Sequence, residues 1–497
     1  MKFLLYFVFF ISISSNISGT SRLDSLLELG KEYSYKFEFQ KAEELFQIVI
    51  QQYPESPYAP HYLSRNNLWF YLGSKDSLYK NRFEKLNNVA LEIAESLYKK
   101  ESSNPKLNNL IGQIYLQKSI LNATEGNSMD AFWATKSSLS YFEDALDLDK
   151  NYYDPYLGIG TIRYALSFIP GFLGWAISIA GLEGDKEEGL RFIKLSFDKG
   201  QSTHTEAAYH LSKIYIEYNA EYDSAKIYLN NLIHQYPKNI LFLYQYAILD
   251  IETKNLNSAE ANLDRILELN NEKFQQINSF SLFLKAEIAF KQNKFEKAIS
   301  LYDRFLQHSS SIDYTGLAHL NTGLAYVMLE NEILAKKYFI LARNGNLDLA
   351  EDVTAKKLSY LYYDKTFSID AKNIIIAENY FESADYQQAY NTISKIEISE
   401  LELYEINKAK IIEAKILLEI DNTQKAKSVL KKVDFEKAAN ISSDIAEYYY
   451  LFAKISYVEG DGSSASKYLD LAFENCEESN NKLMRHLTHL NSKLNMK

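Results

Sequence analysis

Residues 29–54 read LGKEYSYKFEFQKAEELFQIVIQQYP. They place Leu29, Gly30 and Tyr33 on one amphipathic stretch and Ala42, Phe46 and Val49 on the next, before Pro54 closes the pattern. Two stretches of helical period joined by a short turn predict a helical hairpin. The frame recurs as Leu211, Ser212 and Tyr215 followed by Ala225, Leu229, Leu232 and Pro237. Further second-helix alanines fall at Ala259, Ala298, Ala335, Ala389, Ala426 and Ala465, so from Ala225 onward the steps are 34, 39, 37, 54, 37 and 39 residues. A small residue is expected there because paired helix axes approach to about 8–10 Å, which a larger side chain would prevent. The 54-residue step predicts an additional helix in AEDVTAKKLSYLYYDK, residues 350–365. Turn and cap residues precede the second helices in EYDSA, NKFEKA, ADYQQA and EGDGSSA, as hairpin turns require.

This register resembles the tetratricopeptide repeat, a helix-turn-helix unit of about 34 residues. The resemblance implies an all-α solenoid of helical hairpins wound as a right-handed superhelix. A second resemblance lies in YLGIGTIRYALSFIPG, residues 156–171, followed by Gly184, Asp185, Lys186, Gly189 and Leu190. These residues are similar to the tetratricopeptide-39 type group, over about residues 80–240. The expected organisation is a signal peptide at 1–19, an N-terminal repeat region at 20–202 with an expanded unit carrying an apolar insert at 156–182, a repeat array at 203–480 and a capping helix at 481–497. The cap is read from the stripe Leu483, Leu487, Leu490 and Leu494, since arrays must cover their ends.

Composition narrows the function classes. The chain has 46% hydrophobic and 24% charged residues, with 18 glycines and 7 prolines in 497 positions, which suits a folded helical protein. A formal charge of −11 makes nucleic acid a poor partner. The single cysteine, Cys476, allows no internal disulfide. Met1-Lys2 followed by FLLYFVFFISI and small polar residues has the layout of a secretory signal, so the chain is expected to be exported to a periplasm or secreted. Tyr164 to Leu182 holds no charge across 19 residues. Pro170-Gly171 would break it into two short helices, so the expectation is a buried helical hairpin, and membrane contact through this segment is the alternative.

Catalytic patterns are missing: there is no phosphate-binding glycine loop, no His-Glu-x-x-His helix and no Gly-x-Ser-x-Gly elbow. His486 and His489 are read as solvated surface, and the acidic run Glu143, Asp144, Asp147 and Asp149 as a solvated helix end. No catalytic residue, cofactor or metal ligand is assigned, and the expected function is a non-enzymatic scaffold binding a protein or peptide. The alternative is a membrane-associated adaptor with an envelope or lipid-related role. In the tetratricopeptide family the concave groove is lined by first-helix positions. The resemblance therefore implies a partner-binding groove at Tyr209, Lys213, Tyr244, Ile248, Phe283, Glu287, Phe290, Tyr450 and Lys454. The lysine and asparagine clamp of chaperone-tail binders is absent, because its first position is held by residues such as Tyr209, Tyr244 and Phe283.

Overall fold

Small residues decide where the helices pair. In α1 (Arg22–Tyr35) and α2 (Phe39–Gln52), a Cβ on Gly30 would lie 2.5 Å from the Phe46 ring, and Ala42, one turn before Phe46, is fully buried. The computed structural model describes residues 21–169, 181–435, 442–477 and 480–495. The expected signal peptide, the centre of the apolar segment and the last two residues lie outside them. The next helices are α3 (Tyr58–Ser74), α4 (Ser77–Tyr98), α5 (Pro105–Thr124), α6 (Ser128–Leu148), α7 (Pro155–Leu166) and α8 (Lys186–Lys199). Then come α9 (His204–Glu217), α10 (Tyr222–Gln235), α11 (Ile240–Glu252), α12 (Leu256–Leu269), a 3-10 turn (Glu272–Phe274), α13 (Gln275–Lys291) and α14 (Phe295–His308). The chain continues through α15 (Thr315–Met328), α16 (Glu332–Leu341), α17 (Ala350–Tyr363), α18 (Ile369–Glu382) and α19 (Tyr386–Ile393). It ends in α20 (Leu403–Glu419), α21 (Thr423–Leu430), α22 (Ser442–Val458), α23 (Gly462–Asn475) and α24 (Asn481–Asn495).

The fold is an all-α solenoid, with no strand among the described residues. Helices pair as consecutive hairpins, each second helix packing on the following first helix. Ala42, Ala225, Ala259, Ala298, Ala389, Ala426 and Ala465 are all fully buried, and Ala335 is nearly so. The extra helix expected around residues 350–365 is α17. Two hairpins, α3/α4 and α5/α6, were not read from the alanine register. In α6 Ser138 holds the alanine place, four residues before Phe142, and spends its hydroxyl on the Gly112 carbonyl at 2.8 Å. A Cβ on Gly112 would meet the Phe142 ring at 2.6 Å, as Gly30 meets Phe46.

Ten hairpins turn through a left-handed residue, and in eight of them the next N–H returns to the carbonyl five residues back. A residue with positive φ stands in each: Phe37, Lys75, Gly126, Ala220, Lys254, Asn293, Glu330, Ala384, Asp421 and Gly460. Eight of these are not glycine, so this turn is imposed by packing against a cost that side chains usually avoid. The residue after it starts the second helix; Asp385, Asn331 and Asp461, for example, accept from backbone N–H groups three positions on at 3.0 to 3.2 Å.

The hairpin α7/α8 departs from this plan by bringing backbones into direct contact. A Cβ on Gly189 would stand 2.7 Å from the Tyr164 nitrogen, and one on Gly184 would stand 2.5 Å from the Leu166 carbonyl carbon. Asp185 caps α8 by accepting from the Glu188 N–H at 2.8 Å, while its own N–H donates to the Arg163 carbonyl at 3.1 Å. Lys186 lies over the Tyr164 and Phe168 rings. The Gly-Asp-Lys-x-x-Gly-Leu stretch is therefore a device for packing two helices closely. At the ends of the charge-free segment Tyr164 and Leu182 are buried. No helix of the described residues is long and apolar enough to cross a membrane.

The solenoid returns on itself twice. Near the N-terminus, α1 and α3 meet α9, α11 and the 3-10 turn. Tyr35 and Arg65 both bond Glu206, Asn239 donates to the Tyr35 carbonyl at 2.9 Å, and Phe274 stacks on Phe39 and meets Phe70 edge-on. At the other end α24 lays Leu483, Leu487 and Leu490 on α22 and α23. Its opposite face reaches back to α9 and α11: Arg485 pairs with Glu252 at 2.7 Å and donates to the Ile216 carbonyl at 3.4 Å.

Candidate functional site

These two returns enclose two chambers on the inner side of the solenoid. The first, about 410 Å³, lies between α1, α3, α5, α7, α9, α11 and α13 and is mostly apolar. The second, about 540 Å³, lies between α11, α13, α18, α20, α22 and α24 and is rich in charge.

The charged chamber is built by helical spacing. Glu378 and Glu382 are one turn apart on α18, Lys415 and Glu419 on α20, and Tyr450 and Lys454 on α22, so each pair faces the same side. Across the helices Lys408 meets Glu378 at 2.9 Å, Lys415 meets Glu447 at 2.8 Å and Lys454 meets Glu419 at 3.2 Å. Glu382 receives Lys291 at 3.7 Å and Lys482 at 3.8 Å. Burial opposes the charge of Glu382, yet Lys482, Lys291 and Lys415 outweigh it and hold its carboxyl well below the usual range. Burial pushes Asp444 up to about 6, with Glu447 and Glu378 adding to the effect and Lys408 opposing it. Lys254, with its ammonium 3.3 Å from the Phe381 ring centroid, is lowered to about 8 by burial.

The residues expected in one groove are divided between several places. Glu287, Phe290, Tyr450 and Lys454 line the charged chamber, and Tyr209 lines the apolar one. Lys213 pairs along its own helix with Glu217 at 3.7 Å. Tyr244 and Ile248 are half-buried against core clusters around α11. Phe283 is a correction: it is 5% exposed and packs on Tyr302, Phe305 and Tyr314. Phe290, 8% exposed, is covered by Phe295 although its edge reaches the chamber. The expected phase pointed these rings to water, whereas they fill the seam between α13 and α14 and reach Tyr314 before α15. Reading for aromatics passed over Glu378, Glu382, Lys415 and Glu419. Their signal was an i,i+4 charge pair repeating on successive first helices. His486 is not on a solvated face either, since it lies between Tyr222 and Tyr450.

Buried histidines make the fold sensitive to acid. His61, whose Nε2 pairs with Gln113 Oε1 at 3.1 Å, is pushed down to about 3 by burial, with Arg65 adding to the shift; His486 is pushed down to about 4. The native chain thus binds fewer protons than the unfolded one below pH 6.5, so stability is full above that pH and falls as pH drops toward the folded values. Between pH 6.5 and pH 5 His61 alone should remove about 2 kcal/mol. Asp444 works in the opposite sense as pH falls from 6 toward 4, and offsets part of the loss. Denaturant melts at pH 7 and pH 5 measure this, and equal midpoints would contradict it.

Residues 155–315 match the family model described as Iml2/Tetratricopeptide repeat protein 39, and residues 24–56 match a tetratricopeptide repeat model. No curated protein matches the chain. Among solved structures, the chain is similar to a tetratricopeptide repeat protein from Parabacteroides merdae, at 17% identity over 60% of this chain and 100% of that one, with a TM-score of 0.26. It is similar to the tetratricopeptide repeat domain of P58(IPK), at 14% identity over 96% and 100%, with a TM-score of 0.21. It is also similar to yeast Tom70, at 12% identity over 93% and 98%, with a TM-score of 0.28. The resemblance to the tetratricopeptide repeat therefore stands over residues 24–56, and that to the tetratricopeptide-39 group over 155–315, which overlaps the expected 80–240 but starts and ends later.

Proposed function

We propose that the chain is an exported, non-enzymatic scaffold that holds a protein partner through the charged chamber of its concave side. One observation carries this reading: carboxylates and lysines from α11, α13, α18, α20, α22 and α24 converge on one 540 Å³ space. Charge of this density lining a cleft, presented on several helices, suits a polar segment of a folded partner and gives register to its docking. The chamber's carboxylates serve as ion-pair and hydrogen-bond partners, Glu287 included, which accepts from Asn321 at 2.7 Å. That pairing supports recognition over acid-base chemistry. Export rests on the Met1 to Gly19 pattern.

The test combines location with capture. Fractionated cells should yield the chain in the soluble exported fraction, and crosslinked partner should drop at least tenfold with Tyr450→Ala or Lys454→Glu, since anchors of this type dominate interfaces. Retention on membranes after a salt wash would favour a membrane-associated adaptor docked through Tyr164 to Leu182. Capture unchanged in both variants would remove the chamber from the reading.

A further inference from the structure

The apolar chamber differs from the charged one in kind, and we propose that it binds a single uncharged amphiphile, an aliphatic or isoprenoid chain ending in a hydroxyl head. The proposal stands on this chamber alone and is independent of the partner reading. Its walls carry Trp69, Leu72, Leu116, Ile120, Leu241 and Ile277, apolar side chains on inner helix faces that the protein interior leaves partly uncovered. Such surface facing water is costly unless a ligand meets it. A volume of about 410 Å³ lies in the range of small-molecule sites.

The polar groups of the wall decide against a peptide. An extended chain would bring a backbone donor and acceptor with every residue, and each needs a partner when buried. Among the described residues, the buried wall atoms without a partner are Arg65 Nε and Nη2 and Asn109 Oδ1, fewer than an extended chain requires. Asn239 donates to the Tyr35 carbonyl and accepts from two backbone N–H groups at 3.1 and 3.3 Å. Asp154 accepts from the N–H groups of Gln201 and Ser202 at 2.6 and 3.1 Å. Gln113 and Gln117 spend their carbonyl oxygens on His61 and Ser64. A hydrocarbon body makes no such demand.

The wall also holds one ion pair, and its charge balance selects the head. Arg65 Nη1 donates to Glu206 Oε1 at 2.7 Å, and the Tyr35 hydroxyl donates to the same oxygen at 2.8 Å. The guanidinium charge is thus balanced by one carboxylate, which disfavours an anionic head beside it, while Arg65 Nε and Nη2, buried without a hydrogen-bond partner, can donate to an uncharged oxygen. Both bonds fall on Oε1, so Oε2 of this half-buried carboxylate is available to accept from a hydroxyl.

Equilibrium binding of radiolabelled monoolein to the purified chain, below the lipid's aggregation concentration, tests the assignment, with oleate as the anionic comparator. Saturation at one monoolein per chain is expected, with oleate at least tenfold weaker. Ile120→Trp and Ile277→Trp should each fill the chamber and weaken monoolein binding at least tenfold, with melting temperature unchanged or raised. The wild-type arms decide even where a variant folds poorly. Non-saturable uptake, more than one lipid per chain, oleate binding as tightly as monoolein, or full binding by both folded variants would overturn the proposal.

Discussion

Replacing Arg485 by alanine should cost about 3 kcal/mol of stability and free the end of the array from its middle. The guanidinium and its partner Glu252 are 11% and 14% exposed, so the pair is largely out of water. Breaking such a pair leaves a charge without its counterion, which commonly costs about 3–5 kcal/mol. The low end applies because Lys482 also acts on Glu252 and helps hold its carboxyl below the usual range against the effect of burial. The hydrogen bond to the Ile216 carbonyl is lost as well. Hydrogen exchange should rise in α9, α11 and α24 together while α1 to α6 stay protected. A double-mutant cycle with Glu252→Gln should return a coupling above 1 kcal/mol. A change under 0.5 kcal/mol in the single variant would mean that the returning face of α24 adds nothing.

Phe283→Ala should destabilise by about 3–5 kcal/mol, the usual cost of emptying a buried phenylalanine site. The ring sits within 5.1 to 6.1 Å of the Tyr302, Phe305 and Tyr314 rings, and α13 loses its main hold on α14 without it. Tyr450→Ala, on a half-buried ring of the chamber wall, should cost far less. Urea midpoints for the two variants separate a packing residue from a wall residue, and equal midpoints would undo that distinction.

Much of the fold was legible because its determinants are local. Ala298 is small because α13 and α14 touch there, and the turn before it is set by residues within the same hairpin. The helix α17 could be anticipated from spacing alone. Ser138 hid a hairpin because its hydroxyl, bonded to Gly112, does the work of a methyl group and matches no alanine pattern. The groove was harder. Whether a given first-helix position meets water depends on the rotation between neighbouring hairpins, and that rotation puts Phe283 in the seam and Glu382 in the chamber. The polar face of α24 was beyond local reading, since Arg485 meets Glu252 only after the intervening hairpins have turned the chain around.

The recurrent left-handed turn has a consequence for how this molecule can change in length. Because most hairpins bend the chain through a similar left-handed turn, direction accumulates from unit to unit, and seven hairpins from α9/α10 to α22/α23, with α17 among them, bring α24 beside α11. Copy number is therefore a metered quantity here. Duplicating or deleting one hairpin anywhere between should leave each remaining unit intact but carry Arg485 past or short of Glu252 and the Ile216 carbonyl, so the closing contacts of α24 fit one whole number of repeats.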